Sequence, residues 1–524
     1  MFKNKMALGV ARAALVAAAV GLSATGHAQK LADEQVVRFG IPFNDIGTLD
    51  PHQAAGINDT AIVQQVFEGL AAFPPGEQDG GNLKPGLAEK WEASADQKTW
   101  TFFLRRGVQW HKGFGEFTAE DVKFSLDRVM NKETGSPFRK TLDNIERVEV
   151  AGPYKVVITL KRSDPAFVQL MAGYQAGYIV SKKALEKNPD AKSNVVGTGP
   201  FYLSDYKPRQ SVTLARHDAY WRGKPIVEKI VHQFMPEAST RELALRSGEV
   251  QAIGIQAKQD IVDRLRKGGF VTDLTAPANM FVVLLNTTKK PLDDVRVRRA
   301  LAHATNRQDL IAFLGKDLAR PEYSPLAQGY VGHTSDVTKY PYDMAKAKKL
   351  LAEAGLPNGF SMTVNMSNSN IYLPPIQVLQ EQWKKIGVNM EIKVVDHPTY
   401  HRLIREDANP IVLYGAFRYP LTGQLYFDQF YNGASIIGKP TAITNFAHYS
   451  GVDDLLAKAS YNPDGAEQIK LWQQAQKKIA EDAVSIPLYT QYYAMARSKN
   501  LDLGFEQKSF PFYTLSEKSR LLAD

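Results

Sequence analysis

Between Leu87 and Met130 the sequence changes its hydrophobic period once, and that change limits the folds open to the chain. Trp100, Phe102 and Leu104 alternate with Thr101, Phe103 and Arg105 up to Gly107, a period of two that predicts a strand with one buried face. Thr118-Ala119-Glu120-Asp121 then reads as a capping box in front of Val122, Leu126 and Val129, which recur at helical spacing. The same succession appears elsewhere. Residues 36–41 read as a strand and are followed by Ile62, Val66 and Leu70 at helical spacing; a helix over 375–386 stops at Gly387 before Val388, Met390, Ile392 and Val394 alternate with polar residues. Strands alternating with helices define an α/β protein.

Other segments fit that class. Residues 154–160 predict a strand, Ser239-Thr240-Arg241-Glu242 a capped helix stopping at Ser247-Gly248, and 279–287 a strand. Helices are expected through Val297, Leu301 and Ala304, over 343–355, and over 471–480. Val196-Gly197-Thr198-Gly199-Pro200 lacks the G-x-G-x-x-G spacing and the following helix of a phosphate loop, so it reads as a tight connection.

Lys3, Lys5 and Arg12 without any acid, the small apolar run 13–22, and Gly26-His27-Ala28 form a secretory signal peptide, with the mature chain starting at Gln29. Removing 28 residues and three positive charges changes the formal charge from +9 to 9 − 3 = +6. These charges are spread out with no Lys/Arg block, so no nucleic-acid footprint is expected. The chain has no cysteine. In an exported protein this leaves core burial as the source of stability and removes the lipidated cysteine of a membrane tether. A soluble periplasmic protein is the expectation.

Catalytic motifs are missing: no G-x-S-x-G elbow, no H-E-x-x-H, no P-loop and no thiol. An exported α/β hydrolase of peptides or esters stays open as the rival reading. In Asp396-His397-Pro398-Thr399-Tyr400-His401 two histidines stand at i and i+4. Pro398 points to a helix start and further metal ligands are lacking, so they read as surface histidines and no metal or cofactor is expected.

Ala88-Glu89-Lys90-Trp91, Leu104-Arg105-Arg106-Gly107 and Phe117-Thr118-Ala119-Glu120-Asp121-Val122 together closely resemble the signature of the periplasmic oligopeptide- and dipeptide-binding proteins, the family-5 solute receptors of ABC importers. Leu49-Asp50-Pro51-His52, Phe67-Glu68-Gly69-Leu70 and 218–225 agree with it. The resemblance implies a type II, two-lobed binding-protein fold in its large three-domain form. First-lobe segments 29–76, 196–277 and 491–524 would flank an inserted subdomain 77–195 and a second lobe 278–490, with the crossing near Pro277. It also implies a monomer without enzymatic activity that closes over a peptide-like or anionic small molecule and docks on inner-membrane permease subunits. By carry-over, ligand contacts fall on Gly56, Ile57, Asn58, Asn279, Phe281, His397, Tyr400, Phe417, Arg418 and Tyr419. Some relatives bind nickel, which keeps a metal-complex ligand as an alternative.

One departure bears on the ligand. Peptide binders of the family place an aspartate after a Gly-Trp stretch to take the peptide's α-ammonium group; here Arg418 stands at that place, with Asp428 the only acid downstream able to substitute, and His397 replaces a family tryptophan. A guanidinium there disfavours an ammonium ion and favours an anion, such as an anionic peptide derivative, an opine, a sugar acid or a modified amino acid.

Overall fold

A computed structural model describes residues 30–172, 175–190, 194–276, 278–419, 421–509 and 512–523. The leader, its junction at Gln29, and Pro277 lie outside the described residues. Among the described residues no helix is long and apolar enough to cross a membrane.

Three sheets organise the α/β chain. A seven-stranded sheet runs in the order Val271–Thr275, Tyr493–Arg497, Ala252–Ile255, Val36–Ile41, Lys229–Phe234, Ser211–Arg216 and Phe201–Lys207. Val36–Ile41 pairs in parallel with both Lys229–Phe234 and Ala252–Ile255. A four-stranded antiparallel sheet orders Ala88–Ala93, Thr99–Leu104, Lys155–Leu160 and Ile145–Val150. In its second strand Trp100, Phe102 and Leu104 are buried, as the alternation predicts. The third sheet is Ala319–Pro321, Ser485–Gln491, Met280–Leu285 and Ile411–Ala416. Its central strand Met280–Leu285 is buried on both faces, which explains why it shows no alternation.

Several helices follow their caps. Thr118 and Asp121 form the reciprocal capping box of Ala119–Met130, and Asp343 caps Met344–Glu353. Two expectations need correction. The helix expected through Leu70 ends at Val63, because the following residues turn inward: Gly199 N–H donates to the Val66 carbonyl at 2.9 Å, and Glu68 is drawn into a buried polar site. Ser239 and Thr240 lie inside Ala238–Arg246, whose N-cap is Glu237; the side chain of Arg241, which donates to the Met235 and Pro236 carbonyls at 2.5 and 2.7 Å, secures the entering chain instead.

The Gly197-Thr198-Gly199 connection is tight for a steric reason. A Cβ on Gly197 would stand 1.9 Å from the Val66 carbonyl oxygen, and one on Gly199 2.7 Å from that of Gln65. His111 locks the same turn: its Nδ1 accepts from Gly197 N–H at 3.1 Å, and its Nε2 faces the Gly199 carbonyl at 2.9 Å. A ring that accepts on one side and donates on the other is neutral. Burial lowers the His111 pKa to about 3, and burial does the same to His232.

Acid sensitivity follows. Both folded pKa values lie below the ordinary 6.5, so the unfolded chain takes up these protons first. Their stabilising effect is complete above pH 6.5 and is lost as pH falls toward 3, at about 1.4 kcal/mol per pH unit for each ring. Urea unfolding between pH 7 and 5 is expected to show this slope, and His232→Phe to flatten it by one proton. An unchanged slope in the variant would assign the acid sensitivity elsewhere.

Candidate ligand-binding site

The chain passes between the seven-stranded sheet and the Met280–Leu285 sheet twice, from Val271–Thr275 into Met280–Leu285 and from Ser485–Gln491 into Tyr493–Arg497. The two passages lie side by side, with Gln491 N–H donating to the Asn279 carbonyl at 3.2 Å. Beside them a cavity of about 440 Å³ opens among Phe43, Ile255, Gln256, Tyr493 and Tyr513. Phe43, Ile255 and Gln256 sit at the carboxyl ends of the parallel strands, the place where open α/β sheets bind ligands. A shallower groove of about 600 Å³ along Arg246, Phe270 and Lys499 lies at the amino end of Ala252–Ile255, away from both passages.

On the other side of the passages, aromatic side chains build a wall. Asn279 is half-buried, while Phe281 is buried, stacked on Tyr489 with centroids 5.1 Å apart and edge-on to Tyr372 at 5.7 Å. The Tyr372 hydroxyl accepts from Gly415 N–H at 3.3 Å. Its ring meets those of His397 at 5.4 Å and Tyr400 at 5.7 Å. Tyr400 is fully buried and donates its hydroxyl to the Leu413 carbonyl at 2.5 Å, so it supports this wall from beneath and offers no free polar atom.

The two histidines are not independent surface residues. Asp396 caps His397–Arg405 through Thr399 N–H, and Pro398 occupies the first turn, where its missing N–H removes no helix bond. His397 and His401 thereby share one face, half-buried, with their Nε2 atoms 3.2 Å apart.

Arg418 stands at the end of this wall. The Tyr330 hydroxyl pins its backbone, accepting from its N–H at 2.6 Å and donating to its carbonyl at 3.0 Å. The half-buried guanidinium donates to Gln429 Oε1, to the Phe417 carbonyl at 2.6 Å and to Thr444 Oγ1 at 3.4 Å. It lies 4.6 Å from the Phe430 ring centroid and 5.8 Å from that of Tyr414. Three of five N–H donors are thus engaged; no carboxylate among the described residues is within ion-pairing distance. The Tyr419 ring meets Phe73 at 6.2 Å, and its hydroxyl reaches toward the Gln169 carbonyl at 3.5 Å. Phe417 is half-buried against the core.

Asp428 does not neutralise Arg418. It accepts from Gln424 at 2.8 Å and Asn432 at 3.2 Å, and burial raises its pKa. With Tyr419 and Asp164 it lines a separate crevice of about 420 Å³. Gly56 is the N-cap of Ile57–Val63, and the Asn58 side chain donates to the Asp45 carbonyl at 2.9 Å; this polar group is spent within its own loop. Sequence reasoning missed Tyr330, Tyr372, Tyr414 and Phe430. Tyr372 is the N-cap of Leu373–Lys384, a helix that starts two residues before the expected 375, and no local pattern marks it.

Two sheet-based bodies joined by adjacent passages, with a cavity at strand ends, define a ligand-binding protein of the two-lobed class. The chain belongs to the bacterial extracellular solute-binding proteins, family 5: the model of that family's middle region matches residues 82–438. It is 31% identical over 507 residues to the glutathione-binding protein GsiB of Escherichia coli O1:K1 / APEC, covering 95% of this chain and 96% of that protein. Heme-binding protein A of Haemophilus influenzae is 30% identical over 472 residues, 83% of each chain. Among solved structures, MoaA of A. tumefaciens R10 in complex with mannopinic acid superposes with a TM-score of 0.75 at 36% identity, covering 94% of this chain and 100% of that one. The ABC transporter-associated periplasmic binding protein DppA of Helicobacter pylori, solved in complex with the peptide STSA, superposes with a TM-score of 0.71 at 27% identity, covering 93% of this chain and 98% of that one.

Proposed function

We propose that this chain is the soluble periplasmic receptor of an ABC importer for a small anionic solute, held between its lobes with an acidic group on Arg418 and handed unchanged to membrane permease subunits. The observation that carries the ligand reading is the half-buried guanidinium, short of a carboxylate partner and backed by Phe430 and Tyr414. Burying an uncompensated charge is costly, and a carboxylate on the ligand supplies the missing partner in the planar, paired geometry that arginine favours. The relatives support the same class, since one is named for glutathione and another was solved with mannopinic acid. The Asp428 carboxylate, already held by Gln424 and Asn432, gives no support to a receptor for a lone ammonium group. The leader over 1–28 and the absence of cysteine support export without a lipidated tether.

Binding energy is used here to shift an equilibrium between open and closed lobes, with no bond made or broken. Native mass spectrometry of protein from a periplasmic extract is expected to show one acidic solute per monomer, released chemically intact on denaturation. Re-addition at 100 times Kd is expected to stabilise the fold by about 2.7 kcal/mol and to contract the particle in small-angle scattering. Stoichiometric conversion of the solute would establish an enzyme instead, and a cationic solute would overturn the ligand class.

A further inference from the structure

We infer that His397 and His401 form a binding site for a divalent transition-metal ion on the second-lobe wall, independent of the reading of Arg418. Helix geometry brings residues four apart onto one face, and His–x–x–x–His on a helix is a recurrent chelating element. Here the two Nε2 atoms already converge, 3.2 Å apart, with the ring planes at 87° and centroids 4.5 Å apart. Two imidazole nitrogens about 2.0–2.1 Å from one ion are separated by about 2.9–3.3 Å for angles between square-planar and tetrahedral. The observed gap falls within this range, which is also the length of a hydrogen bond between the two rings.

The surroundings have the features of a built site. Ser367 Oγ lies 2.9 Å from His397 Nδ1, so a His397 ring coordinating through Nε2 donates its other N–H to this oxygen, the outer contact that fixes tautomer and orientation in metal-bound histidines. Asp396 and Pro398 hold the helix start, and Tyr372 packs against both rings, 5.4 Å from His397 and 6.5 Å from His401. The alternative, a mutual hydrogen bond, leaves His401 Nδ1 buried without a partner all the same. Two protein ligands leave positions open for water or for a carboxylate of a bound solute, as in sites that exchange ligands.

The test uses the full mature protein and the metal ion alone, Zn²⁺ in calorimetry and Cu²⁺ in paramagnetic resonance. With no cysteine in the chain, thiol binding does not compete. One equivalent is expected to bind, with two imidazole nitrogens in the Cu²⁺ spectrum. His397→Ala and His401→Ala are each expected to weaken binding at least tenfold, and Ser367→Ala about tenfold. His397→Gln and His401→Gln replace the alanine variants if their melting curves show loss of fold. Equal affinity in wild type and the His397/His401 double variant, or a spectrum with a single nitrogen, would overturn the proposal.

Discussion

Replacing Arg418 by alanine is expected to weaken binding of the acidic solute by about 2–5 kcal/mol, the range for removing one partner of a buried, hydrogen-bonded charge pair. The guanidinium keeps two N–H donors beyond those given to Gln429, Phe417 and Thr444, and the rings of Phe430 and Tyr414 shield it from water on one side. Arg418→Lys retains the charge but not the planar fork, so it is expected to recover only part of the loss. Arg418→Asp is expected to abolish binding, because two like charges then meet in the half-buried site. Since the same side chain also bridges Phe417, Gln429 and Thr444, thermal unfolding without ligand separates lost binding from lost fold. Calorimetry within threefold of wild type for Arg418→Ala, a difference under about 1 kcal/mol, would show that the anion is held elsewhere.

The second large effect concerns stability. Asp50 and Arg128 form a two-pronged ion pair at 2.6 and 3.0 Å, with their side chains only 3% and 16% exposed. Arg128 also donates to His52 Nδ1 at 2.8 Å, and burial, together with Arg128, lowers the His52 pKa to about 4. Asp50→Ala leaves the guanidinium buried without a counter-charge, which is expected to cost about 3–5 kcal/mol. Asp50→Leu with Arg128→Met removes both charges and is expected to regain much of it. Urea unfolding of the two variants decides: a single-variant loss below about 1 kcal/mol is the behaviour of a surface pair. The clamp also has a functional side, for it fixes the loop that leads into Gly56 and the start of Ile57–Val63 against the helix Ala119–Met130. Ser136 and Gln53 add bonds across the same seam, at 2.7 and 2.8 Å.

The α/β class, the strand Thr99–Leu104 and the capping box of Ala119–Met130 were legible in the sequence because each depends on a window of a few residues. A strand with one wet face must alternate, and a helix start must satisfy its free N–H groups. The family was legible too, since its landmarks are short and contiguous. What the landmarks are for was decided only by the tertiary structure. Glu68 is a landmark of no evident use in one dimension; in the fold it accepts from Thr198 and Tyr220 at 2.9 Å and from Trp221 at 3.0 Å, and burial raises its pKa. Asp50 finds Arg128 in the same way, 78 positions along. Sequence spacing also brought His397 and His401 into view, yet their convergence depends on the helix phase, and their setting on Tyr372 and Ser367. Arg418 was singled out by a change of charge at one position, while its aromatic backing and missing counter-ion come from residues such as Tyr330 and Phe430 that no local pattern marks. Local periods are written by burial of one face; a buried charge is matched across the whole chain, and only packing brings the partners together.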